Sequence, residues 1–203
     1  LHGFHALAPD PQRPDPRQPA AEGERLVRGP AFDRVEDARH ASVDPAADWP
    51  TFRHDGARSG ATPGTFPARP VVQWTKGFQG RLTAPVVASG QVYLAETDRH
   101  TLHALDARTG ECLWRYTAGG RIDTPPTVHQ GLALFGCRDG WVYCLRGRDG
   151  AVVWRFRAAS EDRLVGACGQ LESAWPVPGS ILVKDDVAYC VAGRSSYLDG
   201  GLR

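Results

Sequence analysis

Gln73-Trp74-Thr75-Lys76-Gly77-Phe78-Gln79-Gly80-Arg81-Leu82-Thr83-Ala84-Pro85 and Leu113-Trp114-Arg115-Tyr116-Thr117-Ala118-Gly119-Gly120-Arg121-Ile122-Asp123-Thr124-Pro125 are two copies of one unit, 40 residues apart, and Val153-Trp154 opens a third. Arg81 falls on Arg121, Pro85 on Pro125 and Val92 on Leu132 at the same offset. Between the tryptophans the chain runs in short apolar stretches punctuated by glycine turns. A fixed period of about 40 in that pattern is the mark of a β-propeller blade, one four-stranded sheet per repeat. The expected fold is all-β: a partial β-propeller of four-stranded antiparallel blades, with two complete repeats plus part of a third.

Within the first repeat, Pro85–Ala88, Val92–Ala95, Leu102–Leu105 and Cys112–Tyr116 read as successive strands. Thr127-Val128, Leu132–Cys137, Trp141–Leu145 and Val152–Phe156 do so in the second. Asp139-Gly140 and Asp149-Gly150 are hairpin signals, because glycine tolerates the positive φ of tight turns. No window carries a helical period. A tight hairpin at Asp139-Gly140 sets Cys137 near Val142 and Cys144 near Phe135, so the two thiols do not face each other. The five cysteines include no Cys-Cys or Cys-x-x-Cys pair. An odd count suits small buried hydrophobes better than a disulfide framework.

The blades should span about 85–124, 125–164 and 180–203. Closing a propeller takes roughly four to eight blades. The absence of Met and an end at Gly200-Gly201-Leu202-Arg203 suggest a piece of a larger protein. Blade faces awaiting neighbours should then be apolar. With 24 basic and 23 acidic side chains the net charge is +1, which points to no nucleic acid partner. No apolar run reaches the length of a membrane span.

Residues 1–46 differ in character. Half of the 16 prolines lie in the first 50 residues, and Asp10-Pro11-Gln12-Arg13-Pro14-Asp15-Pro16 suits neither helix nor central strand. This irregular segment reads as a proline-rich interdomain linker, with Leu26, Val27, Phe32 and Val35 as anchors onto a surface and a helical turn near Val35–Arg39. Asp48-Trp49-Pro50-Thr51-Phe52-Arg53-His54-Asp55-Gly56 interleaves aromatics with proline and should dock on the propeller in extended form. The propeller segment itself is 47–203.

Ala104-Leu105-Asp106-Ala107-Arg108-Thr109-Gly110-Glu111-Cys112-Leu113-Trp114 is the sharpest local motif. Asp106 and Thr109 can hydrogen-bond within the turn, Gly110 supplies its positive φ, and Trp114 can lay an apolar face on the next blade. The run resembles the AxDxxTGxxxW tryptophan-docking motif of the pyrroloquinoline-quinone (PQQ) repeat family. The second copy, Cys144 to Trp154, keeps Asp149-Gly150 and Trp154 but lacks the Ala-x-Asp start. The resemblance extends over Trp49 to Gly201, and Leu1 to Pro9 looks like the tail of a preceding domain. It implies blade-docking roles for Trp74, Ala104, Asp106, Thr109, Gly110, Trp114 and Trp154. It also implies a fold used both by quinone enzymes and by scaffolds, an outer-membrane assembly lipoprotein among them. Family dehydrogenases hold PQQ over Ca²⁺ bound by carboxylate and amide oxygens, often beneath two adjacent cysteines. This chain has no such pair and not one Asn.

The third unit breaks the period. Trp154 to Val187 spans 33 residues where Trp114 to Leu132 spans 18, leaving about 15 extra between Arg157 and Gly179. Inserts of this kind sit on a blade-connecting face, where ligands are met. Glu172 could accept hydrogen bonds there, Trp175 could stack on a ring, and Arg194 could clamp a carboxylate or phosphate, with Ser195 and Asp199 beside it. The plainer alternative pairs Arg194 with Asp199 or Glu172 and makes Trp175 an inter-blade plug. His100 and His103 should be exposed and point apart, giving no metal site. Ser195-Ser196 lacks a nucleophile elbow, so no catalytic residue is expected.

The leading expectation is a non-catalytic binding or scaffolding module, periplasmic or extracellular as the resemblance implies. It would meet a protein partner or small ligand at a propeller face, with no cofactor evident. The alternative is a PQQ- and Ca²⁺-dependent alcohol or sugar oxidoreductase whose active site lies mainly in other blades.

Overall fold

Strand β4 (Thr101–Asp106) buries every side chain from Thr101 to Leu105, so this sheet is covered on both faces. A near-continuous apolar run is what such a strand needs. The computed structural model describes residues 25–35, 44 and 46–203. In it β2 (Val86–Ala88), β3 (Gln91–Glu96), β4 and β5 (Cys112–Thr117) form one antiparallel sheet in chain order. The next repeat builds a second from β6 (Thr127–His129), β7 (Leu132–Gly136), β8 (Trp141–Arg146) and β9 (Val152–Arg157). Two hairpins follow: β10 (Leu164–Ala167) with β11 (Gln170–Ser173), and β12 (Leu182–Lys184) with β13 (Val187–Tyr189). The described residues contain no α-helix, only 3-10 turns at Phe32–Arg34 and Thr97–Arg99.

Three features depart from expectation. The segment read as a linker contributes a strand, β1 (Leu26–Arg28), which pairs with β9 as a fifth member of the second sheet. Its helical turn falls at Phe32–Arg34 rather than near Val35–Arg39. Residues 1–24, 36–43 and 45 of that reading lie outside the described residues. The third departure is in register. Cys137, Arg138, Asp139 and Gly140 together make the turn, closed by the Gly140 N–H on the Cys137 carbonyl at 3.1 Å. The loop is one residue longer than expected, with Arg138, Asp139 and Gly140 between Cys137 and Trp141, and this places Gly136 opposite Val142 and Leu134 opposite Cys144. Cys137 and Cys144 are free and buried, and burial pushes the Cys144 thiol up to about 12 and Cys137 well above its ordinary range.

One core lies between the two sheets. There Phe135 stacks on Tyr143 at 5.1 Å, and Tyr116 of β5 tilts against Tyr143 at 5.7 Å. A second joins the β6–β9 sheet to Ala31, Trp175, Val177 and Ile181. The expected docking of the Trp49 segment takes a definite form. Trp49 bridges Val87, the Val128 N–H bonds the Pro50 carbonyl at 2.7 Å, and Arg58 reaches Ser180 at 3.1 Å. That segment therefore ties together all three repeat units. Large apolar side chains stand exposed at Phe66, Val71 and Val72, in the segment before β2, and at Val187 and Tyr189 on β13.

The tryptophans meet the next unit's turn in a repeated way. A Cβ on Gly110 would lie 2.7 Å from the Trp74 ring, and one on Gly150 would lie 2.6 Å from Trp114. Trp74 donates its indole N–H to the Ala107 carbonyl at 3.0 Å, and Trp114 donates to Gly147 at 2.7 Å. Asp106 closes its turn by accepting the Arg108 and Thr109 N–H groups, with Gly110 at φ 73°. Ala104 is buried opposite Trp114 in the β4–β5 ladder. Trp154 instead lines an apolar cavity of about 240 Å³ with Leu26, Val142, Phe156, Ile181 and Ala188.

Trp114→Ala should lower unfolding free energy by about 3–5 kcal/mol, as truncation of a buried aromatic does. Gly150→Ala, which drives a methyl into the same ring at a positive φ, should cost about 1–3 kcal/mol. Urea denaturation followed by tryptophan fluorescence measures both.

Candidate functional site

The repeat brings equivalent positions to one end of the sheets. Arg81 and Arg121 precede β2 and β6, while Thr97 and Arg138 lie in the β3–β4 and β7–β8 connections. Backbone bonds fix this arrangement: the Thr97 N–H donates to the Arg81 carbonyl at 2.8 Å and the Arg138 N–H to the Arg121 carbonyl at 2.9 Å. The insert arrives through β11, whose Ser173 N–H bonds the Arg138 carbonyl at 2.8 Å. Together they surround a cavity of about 330 Å³ lined by Arg81, Thr97, Arg121, Asp123, Arg138 and Pro178.

Beneath its floor runs an ion network. Glu172, 1% exposed, lies 3.2 Å from Arg121 Nε and 3.4 Å from Arg138 Nη1. Asp123 bonds Arg138 and stands 3.6 Å from Arg121 and 3.9 Å from Arg81. Asp98 holds the other side of Arg81 at 3.5 Å. Desolvation works against the Arg121 charge, but Asp123 and Glu172 outweigh it and hold the guanidinium above its ordinary range. Glu172 is therefore a counter-ion for two arginines and does not stand alone as a base. Arg81 is exposed and Arg138 half-buried, so they present the cavity's guanidinium rim.

Of the five expected ligand residues, Trp175, Arg194 and Asp199 come together and Glu172 lies apart from them. Glu172 lies under the cavity, whereas Arg194 pairs with Asp199 at 2.9 Å and Arg163 bonds the same carboxylate. Trp175 is 3% exposed; it donates its indole N–H to the Asp199 carbonyl at 2.8 Å and carries Arg163 over its ring at 4.9 Å. The ring is thus buried rather than open for stacking, because the insert folds back on itself and uses it as packing. Ser195 accepts the Tyr197 N–H within its own loop. His103 is buried, contrary to expectation, since the segment carrying Phe78 covers it; it meets Glu96 at 3.0 Å and Phe78 edge-on at 5.2 Å. His100 bonds Gln170 at 2.6 Å. Arg121, Asp123 and Arg138 were not among the expected site residues. The match of Arg81 to Arg121 was the signal that could have found them.

Two consequences are measurable. Glu172→Gln keeps the shape but leaves buried Arg121 undercompensated, and should cost about 3–5 kcal/mol in urea denaturation. Arg194→Ala, in an exposed pair, should change stability by less than about 1 kcal/mol. Burial, partly offset by Glu96, holds the His103 pKa below its ordinary value of 6.5. The unfolded chain then binds the extra proton first. Its contribution is complete above pH 6.5 and is lost as pH falls toward the folded pKa, so His103→Gln should flatten the stability profile in that window.

Residues 61–195 match the family model described as "Outer membrane protein assembly factor BamB". The BamB of Yersinia pestis is 29% identical over 73 residues, covering 36% of this chain and 19% of that relative. Among solved structures, quinohemoprotein alcohol dehydrogenase from Comamonas testosteroni superposes with a TM-score of 0.57 and 20% identity, over 90% of this chain and 27% of that one. The ADHIIG quinohemoprotein alcohol dehydrogenase of Pseudomonas putida HK5 gives 0.55 and 15%, over 82% and 25%. At such identities the two enzymes speak for the β-propeller fold alone. The chain spans about a fifth of its curated relative's length and about a quarter of each enzyme's. With the family match covering most of its repeats, the chain belongs to the PQQ-like repeat β-propellers of the BamB type.

Proposed function

We propose that this chain is a non-catalytic binding and scaffolding part of a larger PQQ-like repeat protein that works outside the cytoplasm. It meets a protein partner or small ligand at the face carrying Arg81, Arg121 and Arg138. The closed ion network is the observation that carries this reading. Asp123 and Glu172, the carboxylates nearest the cavity, are both engaged by guanidinium groups. What remains to act on a ligand is a rim of hydrogen-bond donors on a rigid frame, which suits recognition of carboxylate groups. The relative from Yersinia pestis is named for outer membrane protein assembly, which supports both the scaffold role and the location. No helix among the described residues is long and apolar enough to cross a membrane.

A second reading is a PQQ- and Ca²⁺-dependent alcohol or sugar oxidoreductase, and the three arginines favour it to the extent that the quinone bears carboxylates. The donor set does not fit the cation. Both nearby carboxylates serve arginines, the chain has no Asn, and the described residues hold no group of three or more His, Cys, Asp or Glu able to bind a metal. Calcium would need ligands from other blades. Reconstitution of the whole protein with PQQ and Ca²⁺, followed by gel filtration and dye-reduction assay on alcohols and sugars, separates the readings. The expected result is no retained quinone absorbance and no turnover; retained quinone with dye reduction would replace the scaffold reading by the enzyme.

A further inference from the structure

The geometry points to the outer edge of β5 as a docking edge for an extended segment of a partner protein, basic at both ends with two apolar residues and a glycine between them. The warrant is internal. Its repeat counterpart, the outer edge of β9, already carries such a segment from this chain. Leu26, Val27 and Arg28 pair with Phe156, Arg155 and Trp154. The Arg157 N–H donates to the Arg25 carbonyl at 2.8 Å, and the Gly29 and Ala31 N–H groups donate to Val153 and Val152 at 2.8 and 3.0 Å. Arg25 gives its guanidinium to the Arg157 and Ala158 carbonyls at 2.9 and 3.0 Å and lies over the Phe156 ring at 5.0 Å.

Strand β5 repeats that edge. Leu113 stands for Val153, Trp114 for Trp154, Arg115 for Arg155, Tyr116 for Phe156 and Ala118 for Ala158. Nothing among the described residues covers it. Leu113 is 48% exposed where Val153 is 0%, and Cys112, Arg115 and Thr117 are exposed where their counterparts are half-buried. An open strand edge with an apolar side chain turned outward is a template for strand addition. Charge selects the occupant. The Thr117 and Ala118 carbonyls and the Tyr116 ring offer an arginine what Arg25 finds on β9. Exposed Glu111, in the place of Ala151, adds a carboxylate at the other end of the edge. A segment of the Arg25–Ala31 type with a further basic residue beyond the glycine satisfies all three.

A fluorescein-labelled peptide of residues 22–33, its Ala31 changed to Lys, is titrated into the whole protein by anisotropy, with amide exchange mapping the contact. Protection should appear at residues 112–118. Leu113→Lys in the protein, which sets a like charge against the basic segment, or loss of the leading arginine from the peptide, which removes a charge-assisted hydrogen bond, should weaken binding about tenfold. Thr117→Pro removes the N–H that matches Arg157 and should act likewise, while the surface change Leu113→Lys guards against misfolding as the cause. Protection confined to residues 152–158 would mean that the peptide only exchanges with the protein's own strand, and would overturn the inference. So would an absence of binding, or protection of 112–118 that grows with protein concentration without peptide, which would assign the edge to a second copy.

Discussion

An indole ring resting on a glycine that has no Cβ sets the spacing of this protein. Trp74 lies on Gly110 and Trp114 on Gly150, each 36 residues ahead in the chain. Two demands meet at that glycine. The turn needs a positive φ, and the ring needs the room a side chain would fill. Each indole N–H also satisfies a carbonyl of the same turn, so the contact has direction as well as area. Sheets held this way cannot slide past one another without losing a packed aromatic and a hydrogen bond together.

Fixed stacking has a consequence at the far end of the sheets. Because successive units are related by a constant offset, residues that precede each first strand arrive side by side, and Arg81 and Arg121 are such a pair. Two guanidiniums that close would repel, so the neighbourhood must supply carboxylates. Asp123 comes from the repeat itself, and Glu172 comes from the insert that breaks the period. The β10–β11 hairpin is thus an electrostatic necessity as much as an ornament: it carries a buried acid to the place where the regular repeat accumulates positive charge. A buried ion pair of this sort adds little net stability relative to apolar packing. Its effect is to fix which loops meet.

Much of the fold was legible because both repeats print their strands as short apolar runs bounded by turn residues. Every strand from Val86 to Arg157 was anticipated to within a residue or two of its ends. The register at the Cys137–Gly140 turn differs from expectation because Asp-Gly looks the same as the whole of a two-residue loop and as the end of a three-residue one. β1 was invisible for another reason: three residues have no periodicity, and their strand character comes from the edge they meet. The site was less legible still. Glu172 was singled out for its place in an insert, but its partners lie 34 and 51 positions away on a different unit. No local pattern records such a pairing, and only the repeat alignment of Arg81 with Arg121 hinted at it. Trp175 misled because a tryptophan in a polar loop reads equally well as a ligand platform or as a plug, and the difference lies in whether Arg163 and Asp199 return to cover it.

The two outer edges, β5 and β9, show how unevenly a repeat can be finished. Their backbones and most of their side chains are interchangeable, yet one is sealed by Arg25–Ala31 and the other is left uncovered by the described residues. Sequence drift along the edge itself does not account for this, since Arg115 and Arg155 both project from it and the strand pairs across Arg155 regardless. Among the described residues, only the Arg25–Ala31 segment is laid along such an edge, and it takes β9. Selection on stability alone would be expected to blunt the remaining edge with lysine or proline. Leu113, half exposed beside Tyr116 and Glu111, does the opposite and keeps the edge apolar, aromatic and acidic. In the proposed scaffold role that combination has a use, because the ion network fixes the loops at one end of the sheets while the β5 edge stays available to a partner strand.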